Sequence, residues 1–269
     1  YNARAVELRE LRKHHRVRQL ARDLPRLRRV MEHDARPAAR VNRLDADAVA
    51  ATVLRLISET FCRVGGERYL RENGTFGITT LRKSHVRVTS RAARLEYRGK
   101  GKIRQRQVVS DAALVRLIAR QLRTPGSRVF TYRRDGQWRT LGAHDVNAYL
   151  RRRAGPYSAK DFRTWGATLR AATVLAELGP AGSPAEAKRN VALAMRLVAS
   201  ELGNTAAICR ASYVHPMVIA RYLDDGETIK LSRRLKNRGR AHSPEERALI
   251  AFLDRHFPER RRQPRGDSD

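Results

Sequence analysis

Apolar residues recur at helical spacing along most of this chain, and one stretch near the middle alternates instead. Asp45 to Phe61 ("DADAVAATVLRLISETF") sets Val49, Val53, Leu56 and Ile57 on one face, behind an acidic start that suits the helix dipole. Residues 3 to 23 are helical in pattern and heavily charged, and Pro25 is expected to close them. "SPAEAKRNVALAMRLVASELG" reads as a helix with Ser183 as its cap, Pro184 at the first helical position and Glu186 completing a capping box. Gly203 stops it. From Gly77 to Val109 the period changes. "ITTLRKSHVRVTS" and "ARLEYRGKGKIRQRQVV" alternate apolar and polar positions, which predicts three short antiparallel strands with a hairpin at "RGKGK". Beyond Asp111 helices dominate again, interrupted by a loop or ribbon at residues 125 to 142. The expected fold is mainly α with a small three-stranded antiparallel sheet. Residues 1–60 form leading helices, 61–110 the sheet and hairpin, and 111–257 a helical part. The stretch 258–269 ("PERRRQPRGDSD") has nothing apolar to bury and is expected to be a disordered basic tail.

Composition changes the picture by naming a partner. The chain has 269 residues, 57 basic against 27 acidic, for a formal net charge of +30. Eight of the basic residues are lysine and 49 are arginine, spread along the chain rather than gathered in a tail. So cationic a molecule repels itself unless it meets a polyanion, and nucleic acid is the usual one. A GC-rich genome accounts for arginine over lysine, but not for basic over acidic. Cys62 and Cys209 each stand in apolar context without a paired spacing, which reads as core thiols of a reduced intracellular protein. No apolar run reaches the ~18 residues that a membrane span needs, and no secretion signal is visible. The chain opens on Tyr1 rather than methionine, so a fragment lacking its N-terminal part is expected.

Four stretches could carry chemistry. In "CRVGGERYLRENGTFGITTLR", Arg63 follows the apolar end of a helix and precedes a Gly-Gly turn. Taken alone it is a helix C-cap arginine. In "YRGKGK", Lys100 sits at a hairpin tip, either as soluble surface or as a mobile proton donor. In "KDFRTWG", Lys160 and Arg163 lie three apart on one face of a helix start, with Phe162 and Trp165 anchoring the other side. "GNTAAICRASYVHP" ends a short helical run on Tyr213, shortly before Pro216 forbids its continuation, with Asn204 and Arg210 leading up to it. Together these residues can transfer a DNA phosphodiester to protein. A tyrosine hydroxyl, with an ordinary pKa near ~10, needs cationic help to attack. Two guanidiniums offset the charge that develops on the phosphate, a lysine protonates the leaving oxygen, and an amide adds a hydrogen bond. The histidines fall into no metal-ligand spacing, and His14-His15 on a charged helix is expected to face solvent. No phosphate-cradling GxxxxGK[ST] loop exists, so neither ATP nor any other cofactor is implied.

The ordered set "RVGGERYLRENGTFGITTLRKSHV", "YRGKGK", "KDFRTWG" and "GNTAAICRASYVHP" resembles the type IB DNA topoisomerases of bacterial and poxvirus kind, over most of the chain to about residue 225. The resemblance implies the tyrosine recombinase/topoisomerase IB catalytic fold, of α+β kind. It makes Arg63 and Arg163 the phosphate-binding arginines, Lys100 the general acid and Tyr213 the nucleophile, near a helix end because it must move. Arg68, Tyr69, Thr80 and Lys160 would contact DNA. Asn204 stands where poxvirus and eukaryotic members carry histidine; it can still donate a hydrogen bond but cannot become cationic. The implied reaction is relaxation of duplex DNA, preferably supercoiled, by a monomer through a 3′-phosphotyrosyl intermediate, without ATP or a required metal. The implied location is cytoplasmic, at a bacterial nucleoid. Family members carry a β-rich clamp domain before the point where this sequence begins, and its absence predicts weaker, salt-sensitive DNA holding. Tyrosine recombinases share the chemistry, but their second arginine usually lies in HxxR, against Lys160-x-x-Arg163 here. A DNA-binding domain without catalysis is the third reading, and the intact set of five residues speaks against it.

Overall fold

A computed structural model of the chain describes residues 3–40, 44–231 and 241–256. Among them are ten helices, α1 (Ala3–Arg40), α2 (Ala46–Thr60), α3 (Glu67–Asn73), α4 (Ala112–Leu122), α5 (Ala143–Ala154), α6 (Ala159–Leu178), α7 (Pro184–Leu202), α8 (Ala206–Ser212), α9 (Pro216–Asp225) and α10 (Pro244–His256). Strands β1 (Val86–Val88), β2 (Ala93–Arg98) and β3 (Arg104–Val109) form one antiparallel sheet in that order, and β4 (Thr131–Arg134) pairs with β5 (Gln137–Thr140) as a separate ribbon. The fold is mainly helical with a small three-stranded antiparallel sheet, as expected. The tail from 258 lies outside the described residues.

The long first helix does not end at Pro25. Proline cannot bond the carbonyl of Ala21, and His242 Nε2 donates to that oxygen instead at 2.7 Å. Leu20, Leu24 and Leu27 are fully buried on either side of the proline. An interior proline costs about 3 kcal/mol, and burying this apolar stripe outweighs it. The caps of α2 and α7 follow the sequence more closely. Asp45 accepts from Ala48 N at 2.9 Å, and Ser183 accepts from Glu186 N at 3.2 Å. The capping box differs in one bond: the Glu186 carboxylate accepts from Gly182 N rather than from Ser183 N.

The alternation predicted for the sheet holds on β2, where Ala93, Leu95 and Tyr97 are buried while Arg94, Glu96 and Arg98 are exposed. It fails earlier. Ile78–Thr80 and Lys83–His85 are short 3₁₀ turns, because the backbone here crosses another segment instead of pairing as a strand. Ile78 N bonds Arg63 O at 2.9 Å, Thr79 N bonds Val64 O at 2.7 Å, and a Cβ on Gly77 would fall 2.4 Å from Gly65 Cα. This glycine-on-glycine crossing locks the backbone of Arg63. At the other end of the sheet, a Cβ on Gly203 would fall 1.8 Å from Gln105 Nε2, so β3 lies directly on the C-terminus of α7. Helix α6 runs through the interior, with Phe162, Trp165, Ala167 and Ala171 buried against its neighbours.

Candidate active site

The site forms where α2 and α7 end. Each helix terminus leaves carbonyls without intrahelical partners, and these carry the negative end of the helix dipole. Arg163, on the first turns of α6 and only 3% exposed, donates from Nη2 to Leu202 O at 3.1 Å and from Nη1 to Phe61 O. It thereby ties the ends of α7 and α2 together. Arg63 donates from Nη1 to Gly203 O at 3.2 Å and from Nη2 to Asn204 Oδ1. Sequence alone left Arg63 open to capping its own helix; it sits instead at the end of α7. Two guanidiniums side by side, one buried and one half-buried, repel, and burial followed by Arg163 lowers the pKa of Arg63. The carbonyls at the end of α7 offset that repulsion.

Tyr213 follows the last residue of α8, with its ring centroid 5.3 Å from Arg163 Cζ. Burial pushes its hydroxyl pKa up, but Arg163, Arg63 and Lys160 overcome this and the net shift is downward. The main chain around it is held firmly. Thr168 Oγ1, on α6, lies 3.2 Å from Tyr213 O and accepts from His215 N at 3.1 Å. From α1, Lys13 Nζ donates to Ser212 O at 3.3 Å. These bonds hold the main chain on both sides of the tyrosine and leave its side chain to the cleft.

A cleft of about 300 Å³ collects Arg63, Tyr69, Lys100, Lys160, Arg163 and Tyr213 on its walls. Lys100 reaches it from the exposed hairpin tip, where Gly101 takes φ 72° and lets the turn close. Asn204 accepts from Arg63 and is not on the cleft wall; its Nδ2 is buried near the Cys209 thiol. Two of the expected DNA contacts are not on the walls of this cleft. Arg68 is exposed on α3 and pairs with Glu72 at 3.0 Å. Thr80 is buried, and its hydroxyl accepts from Gly77 N at 2.9 Å, bracing the glycine crossing rather than facing the cleft. Among the described residues, no cluster of His, Cys, Asp and Glu side chains could hold a metal ion. Nor is any single described helix long and apolar enough to cross a membrane. Cys62 and Cys209 are both buried and free.

Sequence reasoning missed the supports of this site. Arg16 holds Asp161 through two bonds of 2.9 and 3.0 Å, and Asp161 in turn accepts from Ser158 N at 2.8 Å, fixing the start of α6. His14 does not face solvent: it is buried, with its ring 4.4 Å from that of His215. His215 is the N-cap of α9, accepting from Met217 N at Nδ1, which a protonated ring could not do.

Burial, followed by nearby positive charge, lowers the pKa of His14 to about 4 and of His215 to about 3. Both lie below the unfolded value near ~6.5. Their stabilising effect is therefore complete above that pH and is lost as pH falls toward 4 and 3, while the unfolded chain takes up protons. Between pH 7.5 and pH 5 we expect a loss of about 2 kcal/mol per histidine. Thermal melting against pH tests this: a His14→Gln variant should show a shallower fall than the parent, and an equal slope would disprove the assignment.

Known DNA topoisomerases are similar to this chain. The model of the catalytic core of eukaryotic DNA topoisomerase I matches residues 2–238. The DNA topoisomerase 1B of Acanthamoeba polyphaga mimivirus is 28% identical over 237 residues, which span 84% of this chain and 69% of that protein.

Proposed function

Because the chain belongs to the DNA topoisomerase I catalytic-core family and is a type IB DNA topoisomerase acting on DNA, we propose that it relaxes supercoiled duplex DNA through a 3′-phosphotyrosyl intermediate at Tyr213. The observation that carries this is the convergence of Tyr213, Arg63, Arg163, Lys160 and Lys100 on one cleft. The Tyr213 oxygen attacks phosphorus, the bond from phosphorus to the 5′-oxygen breaks, and the phenolic proton passes to solvent. The arginines, already oriented by the α7 carbonyls, hold the non-bridging oxygens and stabilise the phenolate. Lys100 protonates the departing 5′-oxygen. The Asn204 amide supplies a further hydrogen bond to the phosphate once it turns out from its buried place beside Arg63. The 5′-end then swivels, and the reverse step reseals the strand. The phosphotyrosine conserves the energy of the broken diester, so ATP has no role. On the same reading the protein acts as a monomer in a bacterial nucleoid.

Relaxation of negatively and positively supercoiled plasmid in EDTA without ATP tests the proposal. A ladder of relaxed topoisomers is expected from both substrates, and unchanged plasmid would count against it. Lys100→Ala should slow single-turnover cleavage on the order of 100-fold, as loss of a general acid does. A leaving group that needs no proton, such as a bridging 5′-thiol, should restore most of that loss. No restoration would remove Lys100 from the acid's role.

A further inference from the structure

We propose that the first turns of α1 form a DNA-sensing surface. Arg9 and Arg12 take backbone phosphates of the duplex flanking the cleft, and Lys13 relays that contact to the main chain of Tyr213. This rests on the cleft being the place where DNA is cleaved.

A groove of about 510 Å³ runs along α1, lined by Arg9, Arg12, Lys13, Arg16 and Lys160 among others. Lys160 also lines the reactive cleft, so the two concavities meet at one side chain. The arginines of the groove are not equivalent. Arg16 is committed to Asp161. Arg9 and Arg12 are exposed, one helical turn apart, and neither pairs with a carboxylate among the described residues. Many other arginines do pair, Arg28 with Glu246 and Arg153 with Asp34 among them. Like charges three apart on a helix repel unless an anion lies across them. The anion that fits a groove opening into a DNA-cleaving site is the next stretch of phosphate backbone.

Lys13, one turn on from Arg9, lines the same groove but is mostly buried. It holds the Glu10 carboxylate and the carbonyl of Ser212, the residue before Tyr213. His14 packs on His215, two residues beyond the tyrosine. One turn of α1 therefore touches the groove on one side and the nucleophile's segment on both flanks. Phosphates drawn onto Arg9 and Arg12 would fix this turn, and through Lys13 the position of Ser212 and Tyr213. Lys13 is in this sense a positioning residue.

The test has two arms. Duplex binding is measured against salt in Tyr213→Phe protein, with and without Arg9→Ala and Arg12→Ala together, so that the surface is read whether or not cleavage occurs. The slope of log affinity against log salt should become shallower by about two, one for each phosphate no longer neutralised. An unchanged slope overturns the surface. In the otherwise unaltered chain, Lys13→Met should slow single-turnover cleavage about 10-fold, as a small misplacement of a reacting group does, with a much smaller fall in affinity. Lys13→Arg, which keeps the cation and its bond to Ser212 O, should recover most of the rate even if the methionine variant melts low. No loss of rate, or a loss of affinity equal to the loss of rate, overturns the relay. Failure of the underlying reading would show itself separately, as no covalent adduct from the unaltered chain.

Discussion

Tyr213→Phe is expected to abolish relaxation and covalent capture of DNA, with a loss on the order of 10⁴-fold or more, as removal of a nucleophile does. The substitution deletes one oxygen and keeps the ring on Arg163, the 5.3 Å cation–π contact that seats it. Thr168 and Lys13 hold the main chain of this segment rather than the hydroxyl, so the backbone should not shift. Duplex affinity, set by Arg63, Lys160 and the wider positive surface, should therefore stay within about twofold. Plasmid relaxation and filter binding on the same preparations check both halves. Residual relaxation with an adduct elsewhere would move the nucleophile. A parallel fall in affinity would mean that the phenylalanine variant is misfolded or that the hydroxyl binds DNA.

Arg163→Ala should damage stability and catalysis together. Its guanidinium is the donor for Phe61 O and Leu202 O, joining the ends of α2 and α7 in a buried setting. Stranding a buried acceptor costs about 1–3 kcal/mol, and here two are stranded at once. The same group lowers the Tyr213 pKa and lines the cleft, so cleavage should fall by about 10²- to 10³-fold as well. Arg163→Lys separates the two effects. A lysine keeps the charge but not the planar fork, so it cannot serve both carbonyls and a phosphate oxygen together. Melting temperature should recover in part while single-turnover cleavage stays well below the parent. Full recovery of both would show that charge alone matters at this position.

What the sequence disclosed was mostly local. The Asp45 and Ser183 caps, the alternation of β2 and the glycine-closed hairpin each depend on residues within a few positions of one another. The reactive residue types were legible through the resemblance, because phosphoryl transfer to tyrosine needs a specific ordered set. Contacts between distant residues were not. Pro25 looked like a helix end because its replacement donor, His242, lies at the far end of the chain. Arg63 could be understood only with Gly203 and Asn204 in place, and His14 only with His215. Thr168 and Lys13 act on backbone carbonyls, which leave no signature in residue type. Thr80, expected to contact DNA, is buried, and its hydroxyl is taken up at the close approach of Gly65 and Gly77, a contact between segments that residue type does not announce.

The central claim is that the Tyr213 oxygen becomes bonded to a 3′-phosphate. It is tested most directly by trapping the adduct in EDTA without ATP, on a duplex nicked or shortened so that the leaving strand diffuses away. Two versions of the scissile strand are used, labelled at one end or the other, and the peptide carrying the nucleotide is then mapped. The account predicts protein joined to the 5′-labelled fragment, a free 5′-hydroxyl on the released one, and the modified peptide spanning Tyr213. Attachment to the other fragment, or to a residue other than Tyr213, would contradict it.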